Sequence, residues 1–193
     1  MTLEEWAALD EDVEGELVDG MLAEEEMPTF LHELVVMWLA AALRSWARRR
    51  RGFVVGSEAK LAVGPRRGRK PDLSLFLPGA LPALPDALIR VPPHLVVEVA
   101  SPRPRDVHRD RVDKLRDYAR ASIRLYVIVD PQLRSLEVYE LGRDGRYAVA
   151  CAAGRGRVRV PGCPGLVLDL DTLWKEVDEA ERTRARAASR RRR

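Results

Sequence analysis

The longest regular pattern of apolar positions runs through TFLHELVVMWLAAALRSWARRRRG, Thr29 to Gly52. Leu31, Leu34, Val35, Trp38, Ala42, Leu43 and Trp46 recur there at helical spacing. Thr29 suits the start of this helix and Gly52 its end. Arg48 to Arg51 crowd the last turn, where cations suit the helix dipole. The pattern then shortens. FVVGSEAKLAV (53–63) and PDLSLFLP (71–78) read as a hairpin or neighbouring strands joined by the turn-forming GPRRGRK. The proline-rich stretch 78–93 reads as a surface loop. HLVVEVA (94–100) is a nearly continuous apolar run broken only by Glu98, as expected of a strand buried on both faces. HRDRVDKLRDYARA (108–121) has helical periodicity through Val112, Leu115 and Ala119, and LYVIVD (125–130) is another buried strand. Strand, helix, strand predicts a right-handed crossover with the two strands parallel. SLEVYEL and RYAVA flank Gly142-Arg143-Asp144-Gly145 as a further hairpin, and LVLDL leads into a last helix from about Asp171. This order predicts an α/β (α+β) chain whose central mixed, twisted β-sheet is flanked by helices.

Length adds that one domain suffices: 193 residues can bury a stable core without staples. The expected division is a single domain over 1–181 and a basic, flexible C-terminal tail over 182–193. No unbroken apolar run approaches the length of a membrane span. The acidic N-terminus lacks the basic and apolar regions of a secretory signal, so the expectation is a cytoplasmic protein with no membrane partner. Cys151 and Cys163 are too few for a disulfide framework and wrongly spaced for a zinc knuckle. No glycine-rich turn follows a strand at the spacing of a dinucleotide or phosphate-binding loop.

Charge changes the picture more. The net charge of +3 conceals an asymmetry: residues 1–28 hold eleven acidic side chains and no Lys or Arg, whereas 182–193 hold seven arginines and no acid. The middle and tail could face a polyanion, or the two ends could be complementary surfaces in a homo-oligomer. An arginine-rich composition that merely solvates the surface is the plainer alternative.

Two carboxylates interrupt strands that otherwise read as core. Asp72 opens LSLF and Glu98 breaks HLVVEVA, and burying an unpaired carboxylate is costly enough to require a partner, a metal or a proton. On neighbouring strands they would lie roughly 4 to 6 Å apart and could chelate one hard divalent cation. Asp110, Lys114 and Tyr118, spaced i, i+4, i+8, line one face of the next helix. From it Lys114 could reach a site at the end of the Glu98 strand, to orient water or stabilise charge on a phosphate. Asp110 and Lys114 could equally be a solvated helix pair.

The ordered set Pro71-Asp72, Glu98-Val99-Ala100-Ser101-Pro102, Asp110-xxx-Lys114-xxx-Tyr118 and Tyr126-Val127-Ile128-Val129-Asp130-Pro131 resembles the bacterial Uma family of endonucleases. That family belongs to the restriction-endonuclease-like, PD-(D/E)XK superfamily. The similarity runs from Leu17-Val18-Asp19-Gly20, through His32, to PGLVLDL (164–170). It implies a restriction-endonuclease-like core and a metal-dependent endonuclease acting on DNA. Asp72 and Glu98 would hold Mg²⁺ or Mn²⁺, with the Val99 carbonyl as a further ligand. The superfamily places a lysine two residues after the glutamate, where this chain has Ala100; Lys114 is the candidate replacement. Glu58-Ala59-Lys60 matches the motif literally but precedes Pro71-Asp72, so it is read as a decoy that could still border the site. His32 is read either as a group behind the metal ligands or activating a water, or as a solvent-facing histidine at a helix start. Ser101 either hydrogen-bonds a ligand or caps a turn with Pro102. Asp110 and Tyr118 complete the set around the ligands. Ala100 and the arginines support the alternative of a nucleic-acid-binding or assembly protein without turnover.

Overall fold

The computed structural model describes residues 1–10, 13, 15–23, 27–101 and 108–191, with side chains to 188. Pro102, six of the N-terminal acids (Glu11, Asp12, Glu14, Glu24, Glu25, Glu26), Arg192 and Arg193 lie outside the described residues, and with them the reading of Ser101 as a turn cap with Pro102.

A six-stranded mixed sheet forms the centre. Its strands are β3 (Phe53–Val55), β6 (Leu73–Phe76), β8 (Leu95–Val99), β9 (Leu125–Asp130), β10 (Ser135–Leu141) and β11 (Tyr147–Ala153), in the order β11-β10-β9-β8-β6-β3. β8 and β9 are parallel, as the crossover pattern requires, and the other pairs are antiparallel. Every residue of β6, β8 and β9 is buried, because both sheet faces are covered.

Alternation along those strands divides the interior into two clusters. Leu73, Leu75, Leu95, Val97, Val99, Leu125, Val127 and Val129 face one way. There they meet α2 (Phe30–Arg48) and the last helix, Leu170–Arg191. Helix α2 starts at the Thr29 cap, whose side chain accepts the His32 N–H, and buries Val35, Val36, Leu39, Leu43, Trp46 and Ala47. Its length and apolar content would suffice for a membrane span, but this face is occupied by the core. On the opposite face Phe76, Val96, Ala100, Tyr126 and Ile128 meet Tyr118 and Ile123, together with Leu61 and Val63 of a second sheet.

The second sheet corrects two expectations. FVVGSEAKLAV is not one strand: β3 pairs with β6, whereas β4 (Lys60–Gly64) turns away to pair with β5 (Arg67–Arg69). GPRRGRK is therefore the end of β4, a turn and a strand of its own. The break falls at Gly56-Ser57-Glu58, where the polar residues release the chain from the central sheet. The proline-rich loop likewise contains β7 (Leu88–Ile89), paired parallel to β4. With β1 (Glu16–Val18) and β2 (Met21–Ala23) the order is β2-β1-β5-β4-β7. A one-turn helix, α1 (Leu3–Ala7), rests Trp6 on Gly68, where a Cβ would stand 2.2 Å from the indole ring. β12 (Arg157–Arg159) and β13 (Val167–Asp169) form a small separate hairpin. The final helix carries the expected tail segment onward to Arg191, with its buried residues, Leu170, Leu173, Trp174 and Val177, confined to its first half.

Candidate active site

Register decides the geometry. Leu73 lies opposite Val97 and Ser74 opposite Val96, so Asp72, one residue before β6, comes up beside Glu98. Parity puts Glu98 on the same sheet face as Val96 and Ala100. The Asp72 carboxylate is fixed by two donors on Oδ2, the Val99 N–H at 2.7 Å and His32 Nε2 at 3.2 Å. Pro71 begins this segment where no ladder donor is needed.

Glu98 is buried, and both its oxygens are engaged: Lys114 Nζ donates to Oε2 at 2.8 Å and the Tyr118 hydroxyl to Oε1 at 2.5 Å. The donors come from one helical segment. A π-helical stretch, Arg109–Lys114, runs directly into α3 (Leu115–Arg120). π-Turns are rare inside helices and concentrate at functional sites. The expected i, i+4, i+8 face is present and points inward: Asp110 is 5%, Lys114 4% and Tyr118 0% exposed, which excludes the solvated-pair reading. Asp110 Oδ1 lies 3.5 Å from Lys114 Nζ.

The protonation preferences follow from this packing. Burial pushes the Glu98 carboxyl well up; Lys114 opposes the shift, while the Asp72 and Asp110 charges add to it. Asp110 is raised for the same reason. Burial would strip Lys114 of its proton, but Glu16, Glu98 and Asp110 outweigh it and hold the ammonium. Burial also opposes charge on His32, yet the hydrogen bond to Asp72 raises it. Tyr118 is kept neutral by burial and by Glu98.

Asp72, Glu98, Val99, Ala100, Ser101, Asp110, Lys114 and His32 all line one open cleft of about 840 Å³. Lys60, Lys70, Glu58 and Arg109 border it as well. The EAK stretch has other work: Lys60 Nζ donates to the Trp6 and Ala7 carbonyls at the end of α1, and the exposed Glu58 pairs with Lys70 at 3.0 Å.

Beneath the cleft lies a charged network with no counterpart among the expected site residues. Glu16 Oε1 accepts the Lys70 N–H and stands 3.6 Å from Lys114 Nζ; Glu16 Oε2 accepts from Arg69 Nη1 at 2.6 Å. Arg69 in turn donates twice to Asp117, which also binds Arg67. The one local signal for it was Glu16, an acid opening the apolar pair Leu17-Val18; Arg69 was hidden in an arginine-rich turn.

A central mixed sheet with paired carboxylates at the mouth of two adjacent strands and a lysine behind them defines a restriction-endonuclease-like fold. It has a solved counterpart: a crystal structure described as a putative nuclease belonging to DUF820 from Anabaena variabilis superposes with a TM-score of 0.73 at 18% identity, covering 91% of this chain and 98% of that one. The chain belongs to the Uma2 family, described as "Putative restriction endonuclease", whose pattern it matches over residues 2–171. No curated protein matches it.

Proposed function

We propose that the protein is a divalent-metal-dependent DNA endonuclease, with Asp72 and Glu98 as metal ligands. The observation that carries this reading is the pairing of the two carboxylates across β6 and β8 at the base of an open cleft, with the Lys114 ammonium on Glu98. Family membership supports the nuclease class.

The donor set suits a hard cation. Among the described residues no group of three or more His, Cys, Asp or Glu side chains forms a ready metal cluster. Two carboxylates, the Val99 carbonyl and water would supply the all-oxygen shell that Mg²⁺ or Mn²⁺ prefers. Among the described residues both hydrogen bonds to Asp72 fall on Oδ2, so Oδ1 is the oxygen to offer. Such an ion, once bound, supplies Lewis acidity and a water of lowered pKa. The chain's own groups do the rest. His32 and the Val99 N–H orient Asp72, Tyr118 holds Glu98 Oε1, and Lys114 places a fixed positive charge where a phosphate oxygen or attacking water would sit. Lys70 and Arg109 line the wall along which a nucleic-acid backbone would run.

The test is cleavage of plasmid DNA with Mg²⁺ or Mn²⁺, with and without chelator. Asp72→Asn and Glu98→Gln should each lose at least about a hundredfold in rate while retaining the native circular dichroism spectrum. Wild-type activity in chelator, or in both variants, refutes the assignment. Ala100 in the superfamily's lysine position favours a second reading, nucleic-acid binding without turnover. Salt-dependent DNA binding with no cleavage under any divalent metal would establish it.

A further inference from the structure

We propose that Glu16 is a positioning residue for Lys114, so that the N-terminal β1–β2 hairpin completes the site from below. This deepens the nuclease reading, and its activity arm rests on it.

Charge balance singles out Glu16. Arg67 and Arg69 are matched by Asp19 and Asp117, through contacts of 2.7 Å to Asp19 and of 2.7 and 2.9 Å to Asp117. These four side chains are neutral as a set. Glu16, 1% exposed, is a third buried acid in contact with this set: it shares Arg69 at 2.6 Å and faces Lys114 at 3.6 Å. Two arginines thus face three carboxylates, and Lys114 is a further cation within reach of the third.

Geometry then gives Glu16 its task. Three carboxylates surround Lys114 Nζ, Glu98 at 2.8 Å, Asp110 at 3.5 Å and Glu16 at 3.6 Å. Glu98 and Asp110 both line the cleft, whereas Glu16 does not. Without a counter-charge on the floor, the ammonium would be held from the cleft side alone, by Glu98 and Asp110, and drawn further towards the Glu98 oxygens a metal would use. Glu16 shares the ammonium and keeps Glu98 able to accept a second cation. Its own position is over-determined: Arg69 grips one oxygen and the Lys70 N–H the other. Arg69 is held by Asp117, three residues beyond Lys114 on the same helical run, so the chain of contacts closes on the element it positions.

The experiment compares Glu16→Gln, Glu16→Asp and Arg67→Gln. Arg67→Gln disturbs the network's outer end, touching Asp19 and Asp117 but not Glu16. In Mg²⁺-dependent plasmid cleavage, Glu16→Gln should lower kcat by about tenfold or more with KM within about twofold, Glu16→Asp should recover part of the loss, and Arg67→Gln should lower only the melting temperature. A second measurement needs no activity: acylation of Lys114 by an amine-reactive ester, located by mass spectrometry. Lys114, 4% exposed, should label slowly in the wild type, several-fold faster in Glu16→Gln and no faster in Arg67→Gln. Should Glu16→Gln not fold, Glu16→Asp is scored in both assays. Unchanged Lys114 labelling, or a kcat loss no larger than that of Arg67→Gln, overturns the proposal. If the wild type cleaves no DNA, the nuclease reading falls and the labelling alone decides the role of Glu16.

Discussion

Replacing Lys114 by Met tests the electrostatic core of the site, because methionine nearly preserves the volume while deleting the charge. Lys114 is 4% exposed and lies 2.8 Å from Glu98, with Asp110 and Glu16 behind it. Removing one partner of a buried ion pair costs about 3–5 kcal/mol, because the other charge is left uncompensated. At roughly 2–4 °C per kcal/mol for a chain of this size, the melting temperature should fall by about 6–20 °C at pH 8. The loss should shrink on acidification. Glu98 titrates above its ordinary value of 4.5 in the folded protein, so folding takes up a proton between the two values. The associated stability is present below about 4.5 and is lost as pH rises through the folded value. Without Lys114 the carboxyl is raised further, and the variant should be closer to wild type at pH 5 than at pH 8. Urea unfolding at both pH values measures the difference directly. Adding Mg²⁺ at pH 8 should return part of the lost stability, since the cation proposed for Asp72 and Glu98 would replace the missing charge. A cost below about 1 kcal/mol at pH 8, or one that grows on acidification, would show that Lys114 does not neutralise the buried carboxylates.

Three further substitutions probe the supports. Tyr118→Phe strands Glu98 Oε1 without its donor, at about 1–3 kcal/mol in chemical denaturation, and should lower cleavage with little change in DNA binding. Gly68→Ala drives a methyl to 2.2 Å from the Trp6 ring, so α1 must shift; a loss of about 1–3 kcal/mol and a change in tryptophan fluorescence are expected, and an unperturbed spectrum would contradict the contact. Arg69→Met leaves Glu16 and Asp117 short of a cation and should cost about 3–5 kcal/mol at neutral pH. Burial raises Glu16, but Lys114 and Arg69 outweigh it and hold it below 4.5, so its contribution is present above 4.5 and lost as pH falls through the folded value. The wild-type and Arg69→Met stability curves should therefore converge in acid.

Much of the candidate site was legible one strand or helix at a time. Glu98 stood out because its neighbours Val96, Val97 and Val99 are apolar, and a charge in such a run has to be answered. Asp110, Lys114 and Tyr118 were legible as one face because helical periodicity is local. The parallel pairing of β8 and β9 followed from strand, helix, strand. Other features had no local trace. Glu58-Ala59-Lys60 satisfied the motif by sequence and does different work in space, because β4 leaves the central sheet.

Periodicity and burial cost act within a few residues, so the chain alone marked the central strands, the two long helices, the crossover helix and the charges that needed an explanation, but not the second sheet. Which groups meet depends on packing between distant segments. Asp72 meets Glu98 through strand register, His32 reaches Asp72 from a helix 40 residues earlier, and Arg69 joins Glu16 and Asp117 across separations of 53 and 48 residues. Such pairings depend on how two sheets and a helix pack, and a buried arginine within GPRRGRK looks the same in sequence as its exposed neighbour.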